Sequence, residues 1–86
     1  VVEAAGEFLK LGKKAYKLGD YRGAIADFRE AICLQPDTAD AYRGRGWAKH
    51  GLKDSQSSIA DYSEAMRLQP DNINTYNLYR TWNSKA

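Results

Sequence analysis

"AICLQPD" at residues 31–37 returns as "AMRLQPD" at residues 65–71. No helix runs smoothly through Pro36 or Pro70, and the aspartate after each proline is ordinary turn chemistry. The two prolines stand 34 residues apart. Laid over residues 39–72, residues 5–38 show 13 identities, too many for chance to be a good source. Gly12 falls on Gly46, Leu18 on Leu52 and Asp20 on Asp54, and "IAD" recurs at 25–27 and 59–61. Phe8 with Tyr42 and Phe28 with Tyr62 add conservative pairs. The chain is a repeat, and the proline turn closes each copy.

Each copy reads as two helices. Phe8, Leu11, Ala15 and Leu18 recur at steps of three and four, as one face of a helix does. Gly19 can take the left-handed conformation that ends a helix, and Asp20 can cap the next. Tyr21, Ala24, Ile25, Phe28, Ala31 and Ile32 supply the apolar stripe of the second helix. Pro36 stops it, and Asp37 or Thr38 caps its successor. The second copy runs the same way from Ala39 to Leu68. There Lys53 replaces Gly19, which predicts a strained or differently shaped turn. "INTYNLYRTWNS" at 73–84 begins a third copy that stops after its first helix.

This pattern resembles the tetratricopeptide repeat. Phe8, Leu11, Gly12, Gly19, Tyr21, Ala24, Phe28, Ala31 and Pro36 fall where that family places its aromatic, small and proline residues. The second copy matches at Tyr42, Gly46, Tyr62, Ala65 and Pro70. It departs at Arg45, Lys49, Ser55 and Ser58, where leucine, two aromatics and alanine are usual. The resemblance implies an all-α, right-handed α-solenoid of two helix–turn–helix hairpins plus a C-terminal capping helix. It would form one domain over 1–86, with repeats at 5–38 and 39–72. Residues 73–86 are then either a true cap, through Tyr76, Leu78 and Tyr79, or a cut third repeat.

Composition agrees with one small globular domain. The chain has 86 residues, 43% hydrophobic and 28% charged, with a net charge of +2. No apolar run approaches the ~18 residues of a membrane helix, and "VVEAAGEFLK" does not read as a signal peptide. A start on Val1 suggests an excised or processed chain. The arginines are dispersed rather than aligned for phosphates, so neither nucleic acid nor membrane is an expected partner. Cys33 is the single cysteine, which fits a reducing, cytoplasmic setting.

Catalysis is not expected. His50 and Cys33 lie on different helices, so no nucleophile has a base within reach. One histidine and one cysteine make a poor metal site, and no glycine-rich phosphate loop is present, so no cofactor is implied. Asp27, Glu30, Asp61 and Glu64 recur with the repeat and read as surface or inter-repeat salt-bridge residues.

Members of the family curve, with the first helix of each pair lining the concave side. That resemblance marks Leu9, Lys13, Tyr16 and Lys17 in the first copy as groove residues. Asp40, Arg43, Trp47 and His50 follow in the second, and Asn74, Asn77 and Thr81 in the third. A large aromatic among cations has the composition of a binding hot spot, although Trp47 could instead pack sideways on Lys13 or Tyr16. Lys13, Lys17, Arg43 and His50, offset by Asp40, favour an acidic peptide or a free carboxylate. The expected function is a protein-interaction scaffold. The alternative is self-association through Tyr76, Tyr79 and Trp82, giving a homo-oligomer. One subclass grips the C-termini of Hsp70 and Hsp90 through a carboxylate clamp. Its five positions hold Leu9, Lys13, Gly44, Asn74 and Leu78 here. None carries the clamp's residue, which argues against such a ligand.

Overall fold

The computed structural model describes residues 2–72 together with Asn77 and Arg80, both helical and exposed. The expected C-terminal helix and its aromatics otherwise lie outside the described residues. Four helices follow in order: α1 (Val2–Lys17), α2 (Tyr21–Leu34), α3 (Ala39–Gly51) and α4 (Ser55–Leu68). α1 packs on α2 and α3 on α4 as hairpins, α2 packs on α3 to join them, and α1 reaches α3. The fold is an all-α helical repeat.

The repeated turns are repeated in their hydrogen bonds. The Gln35 N–H donates to the Ala31 carbonyl, and the Gln69 N–H to the Ala65 carbonyl, both at 2.9 Å. Thr38 then donates to Gln35, and Asn72 to Gln69, both at 3.2 Å. Pro36 and Pro70 therefore occupy the second place of a four-residue turn, where their fixed φ is already suitable. Each "QPD" closes its α-helix with one bond and opens the way to the next with another.

The turns inside the hairpins match as well. The N–H groups of Gly19 and Asp20 return to the carbonyls of Tyr16 and Ala15, at 3.0 and 2.9 Å. Lys53 and Asp54 return to His50 and Lys49, both at 2.9 Å. This pairing is a Schellman end, which needs a positive φ at the residue after the cap. Gly19 adopts φ 82° at little cost, and Lys53 is held at φ 66°. The strain expected at Lys53 is real, while the shape of the turn is kept.

Asp20 and Asp54 cap α2 and α4 by accepting from the backbones of Gly23 and Ser57, at 3.0 and 3.4 Å. The expected side-chain cap on α3 is different. Thr38 occupies the N-cap place but makes no capping hydrogen bond, because its hydroxyl donates backwards to the Gln35 carbonyl at 2.8 Å.

Small residues dominate the interior. Ala5, Ala24, Ala31, Ala41, Ala48 and Ala65 are buried, and Phe28 and Tyr62 are the largest buried side chains. Helices lined with alanine approach closely, and one ring per hairpin fills the remaining space. Two members of the expected α1 stripe do not join this core. Leu11 is 50% and Leu18 75% exposed. Leu18 follows the last residue of α1, so it projects from the hairpin tip, and its counterpart Leu52 is exposed in the same way.

Asp61 also departs from expectation. It is buried, not a surface carboxylate, and its partners lie inside its own hairpin. Its oxygens accept from Arg45 Nε at 3.0 Å and from a terminal Arg45 nitrogen at 2.7 Å. Lys49 Nζ approaches the same carboxylate at 3.1 Å. Arg45 and Lys49 replace the usual leucine and aromatic, and both pair with the single Asp61 carboxylate where α3 packs on α4. The hydrogen bond to Asp61 holds the Arg45 guanidinium above its ordinary pKa.

Candidate peptide groove

The i, i+3, i+4 spacing places Lys13, Tyr16 and Lys17 on one face of α1. The same rule aligns Asp40, Arg43, Gly44 and Trp47 on α3. The two stripes line a pocket of about 290 Å³. Its floor comes from the other side: Phe28 of α2 also lines it.

Phe28 reaches the pocket because the helices on either side carry no side chain there. A Cβ at Gly12 would lie 2.8 Å from the ring, and one at Gly44 would lie 2.5 Å from it. Both separations are far below van der Waals contact, so the ring fills the space that two glycines leave. Gly44 sits in a helix interior, where glycine costs about 1 kcal/mol against alanine. That cost is the signal by which the sequence could have nominated Gly44 as a place of close approach. Phe28 was legible as core, but its second face, toward the groove, was not.

An aromatic row forms one side. The rings of Tyr21 and Tyr16 are 5.4 Å apart at 54°, and those of Tyr16 and Trp47 are 5.6 Å apart at 53°. These tilted arrangements favour aromatic pairing. Trp47 thus packs sideways on Tyr16 and still leaves 40% of itself exposed. Burial, with Tyr21 adding to it, raises the Tyr16 pKa and keeps the hydroxyl neutral.

Charge surrounds the apolar floor. Lys13 and Lys17 are exposed on α1. Across from them Arg43 donates to the carboxylate of Asp40, one turn earlier on α3. The remaining expected groove residues are placed elsewhere. Leu9 is half-buried and packs against the Ala24, Phe28 and Ala48 cluster. His50 is exposed at the end of α3 and Asn77 is exposed, and neither lines the pocket. Asn74 and Thr81 lie outside the described residues.

A family model of the tetratricopeptide repeat matches residues 9–73. The chain belongs to the tetratricopeptide repeat family. Such domains are generally non-catalytic modules for protein–protein interaction. Among the described residues no three or more of His, Cys, Asp and Glu gather into a metal site, and no helix is long and apolar enough to cross a membrane.

Among solved structures, the chain matches the NMR structure of the first TPR domain of human RPAP3, with TM-score 0.90 at 22% identity. The match covers 94% of this chain and 64% of that one. It also matches the first TPR of Spaghetti (RPAP3) bound to the HSP90 peptide SRMEEVD, again with TM-score 0.90 and 22% identity. There the coverage is 95% of this chain and 67% of the other. At this identity the likeness is one of fold. No curated protein matches the chain by sequence.

The bound neighbour corrects one expectation. The lack of the clamp's residues at five positions argued against an Hsp90 C-terminus, yet a domain of this fold is bound to an HSP90 peptide. That expectation required the clamp's own residues at all five positions. In the structure Lys13, Lys17 and Arg43 line the pocket regardless of that pattern, so its absence does not leave the groove without cations.

Proposed function

We propose that this repeat domain docks an acidic peptide segment in the groove between α1 and α3. The observation that carries the proposal is the composition of the pocket. An apolar floor at Phe28 and Gly44 and an aromatic side at Tyr16 and Trp47 lie beside the cations Lys13, Lys17 and Arg43. Apolar contact supplies affinity, and Lys13 and Lys17 select carboxylates, including a free C-terminus, through charge-assisted hydrogen bonds. Trp47 is the anchor, because a part-exposed ring already braced by Tyr16 loses little freedom on binding. The bound state of the RPAP3 neighbour supports this reading, since SRMEEVD is an acidic peptide.

The test is fluorescence polarisation with labelled SRMEEVD, using wild type, Trp47→Ala and the Lys13→Ala, Lys17→Ala pair. Trp47→Ala should weaken binding about tenfold or more, in the range of a hot-spot residue, with helicity unchanged by circular dichroism. The lysine pair should weaken binding and flatten its salt dependence. Wild-type binding that neither variant alters would place the ligand outside this groove.

A further inference from the structure

The two sides of the groove are not electrically alike. Lys13 and Lys17 on α1 are exposed and form no ion pair with a described residue. On α3 the cation Arg43 is already engaged by Asp40, and both residues line the same pocket. Asp40 lies in the first turn of α3, where a helix favours negative charge, so its presence there costs the fold little. A ligand carboxylate that approaches Arg43 must displace Asp40 or share the guanidinium with it. Either course sets two like charges within a few ångströms, whereas a carboxylate directed to Lys13 and Lys17 meets no such rival.

Resting on the groove reading above, we infer that Asp40 is the specificity-determining residue of this site. It occupies Arg43 and so restricts acidic recognition to the α1 side. Over the first turn of α3 the groove accepts neutral or basic ligand groups. A preferred ligand places its carboxylates along Lys13 and Lys17 and its apolar side chain over Phe28. A ligand acidic on both flanks pays for its second charge.

A double-mutant cycle tests this with the same SRMEEVD probe, comparing wild type, Asp40→Asn, Arg43→Gln and the double variant. Asp40→Asn should tighten binding about fivefold, which corresponds to roughly 1 kcal/mol for one unit charge at close range in water. Arg43→Gln should cost more in the Asp40→Asn background than in wild type, because there the Asp40 carboxylate no longer competes with the ligand for the guanidinium. The salt dependence should steepen in Asp40→Asn. Equal or weaker binding by Asp40→Asn, or an Arg43→Gln cost that is the same in both backgrounds, would overturn the assignment. Absence of wild-type binding would overturn the groove reading itself. Wild-type binding that Trp47→Ala weakens but Asp40→Asn leaves alone would overturn only the role of Asp40.

Discussion

The ring of Phe28 rests against the backbone of Gly44 so closely that a Cβ there would fall 2.5 Å from it. One contact thus joins the core to the groove, since Phe28 fills the hairpin interior on one side and floors the pocket on the other. Gly44→Ala should therefore destabilise the domain. Overpacking costs about 1–3 kcal/mol, and the gain in helix propensity returns at most about 1 kcal/mol. Gly6→Ala is the control: nothing lies within 4 Å of that position, so the propensity gain should stand alone. Urea melts of both variants give the comparison, and a stabilised Gly44→Ala would mean that the ring has room to move.

The ion pairs at Asp61 predict a loss that depends on what else is changed. With a carboxylate only 6% exposed, Asp61→Ala leaves Arg45 and Lys49 facing each other at a helix crossing. Breaking a buried pair costs about 3–5 kcal/mol; these cations keep some water, so about 2–3 kcal/mol is expected. Adding Arg45→Leu and Lys49→Tyr, residues of the kind usual at those places in the family, should recover most of that. Thermal melts of the single and triple variants check the recovery. A triple variant no better than Asp61→Ala would show that the site is not tolerant of apolar packing.

The Lys53 backbone offers a gain. It is held at φ 66° in the place Gly19 takes in the first hairpin. A non-glycine residue in the left-handed region carries about 1 kcal/mol of strain. Lys53→Gly should raise the melting temperature by about 4–8 °C per kcal/mol recovered, less the entropy glycine adds to the unfolded chain. Calorimetry decides, and a lowered melting point would mean that the lysine side chain makes up for its backbone.

Ser58 offers another. Its hydroxyl is fully buried with no hydrogen-bond partner among the described residues, at the position where the first repeat has Ala24. A buried polar group left unsatisfied costs about 1–3 kcal/mol. Ser58→Ala should stabilise the domain by about 1 kcal/mol in denaturant melts, and a loss of stability would reveal a bond that the hydroxyl makes after all.

The reach of the sequence follows a physical line between local and non-local determinants. The period, the four helices, the proline turns, the aspartate caps and the strain at Lys53 were all legible, because each depends on residues within a few positions of one another. Helical spacing likewise put Lys13, Tyr16 and Lys17 on one face of α1 and Arg43 and Trp47 on one face of α3, and the family resemblance implied that both faces line the groove. What those faces meet was not. Leu11 and Leu18 have the spacing of a core stripe and remain exposed, while Asp61 repeats like a surface carboxylate and is buried between two cations. Phe28 reaching the groove past Gly12 and Gly44 is a relation among three helices, and periodicity within one helix holds no information about it. Local chemistry therefore determined the elements and their order. The composition of the groove, its apolar floor and the engagement of Arg43 by Asp40 were decided only when the helices packed, because each depends on which atoms packing brings together and which it leaves to water.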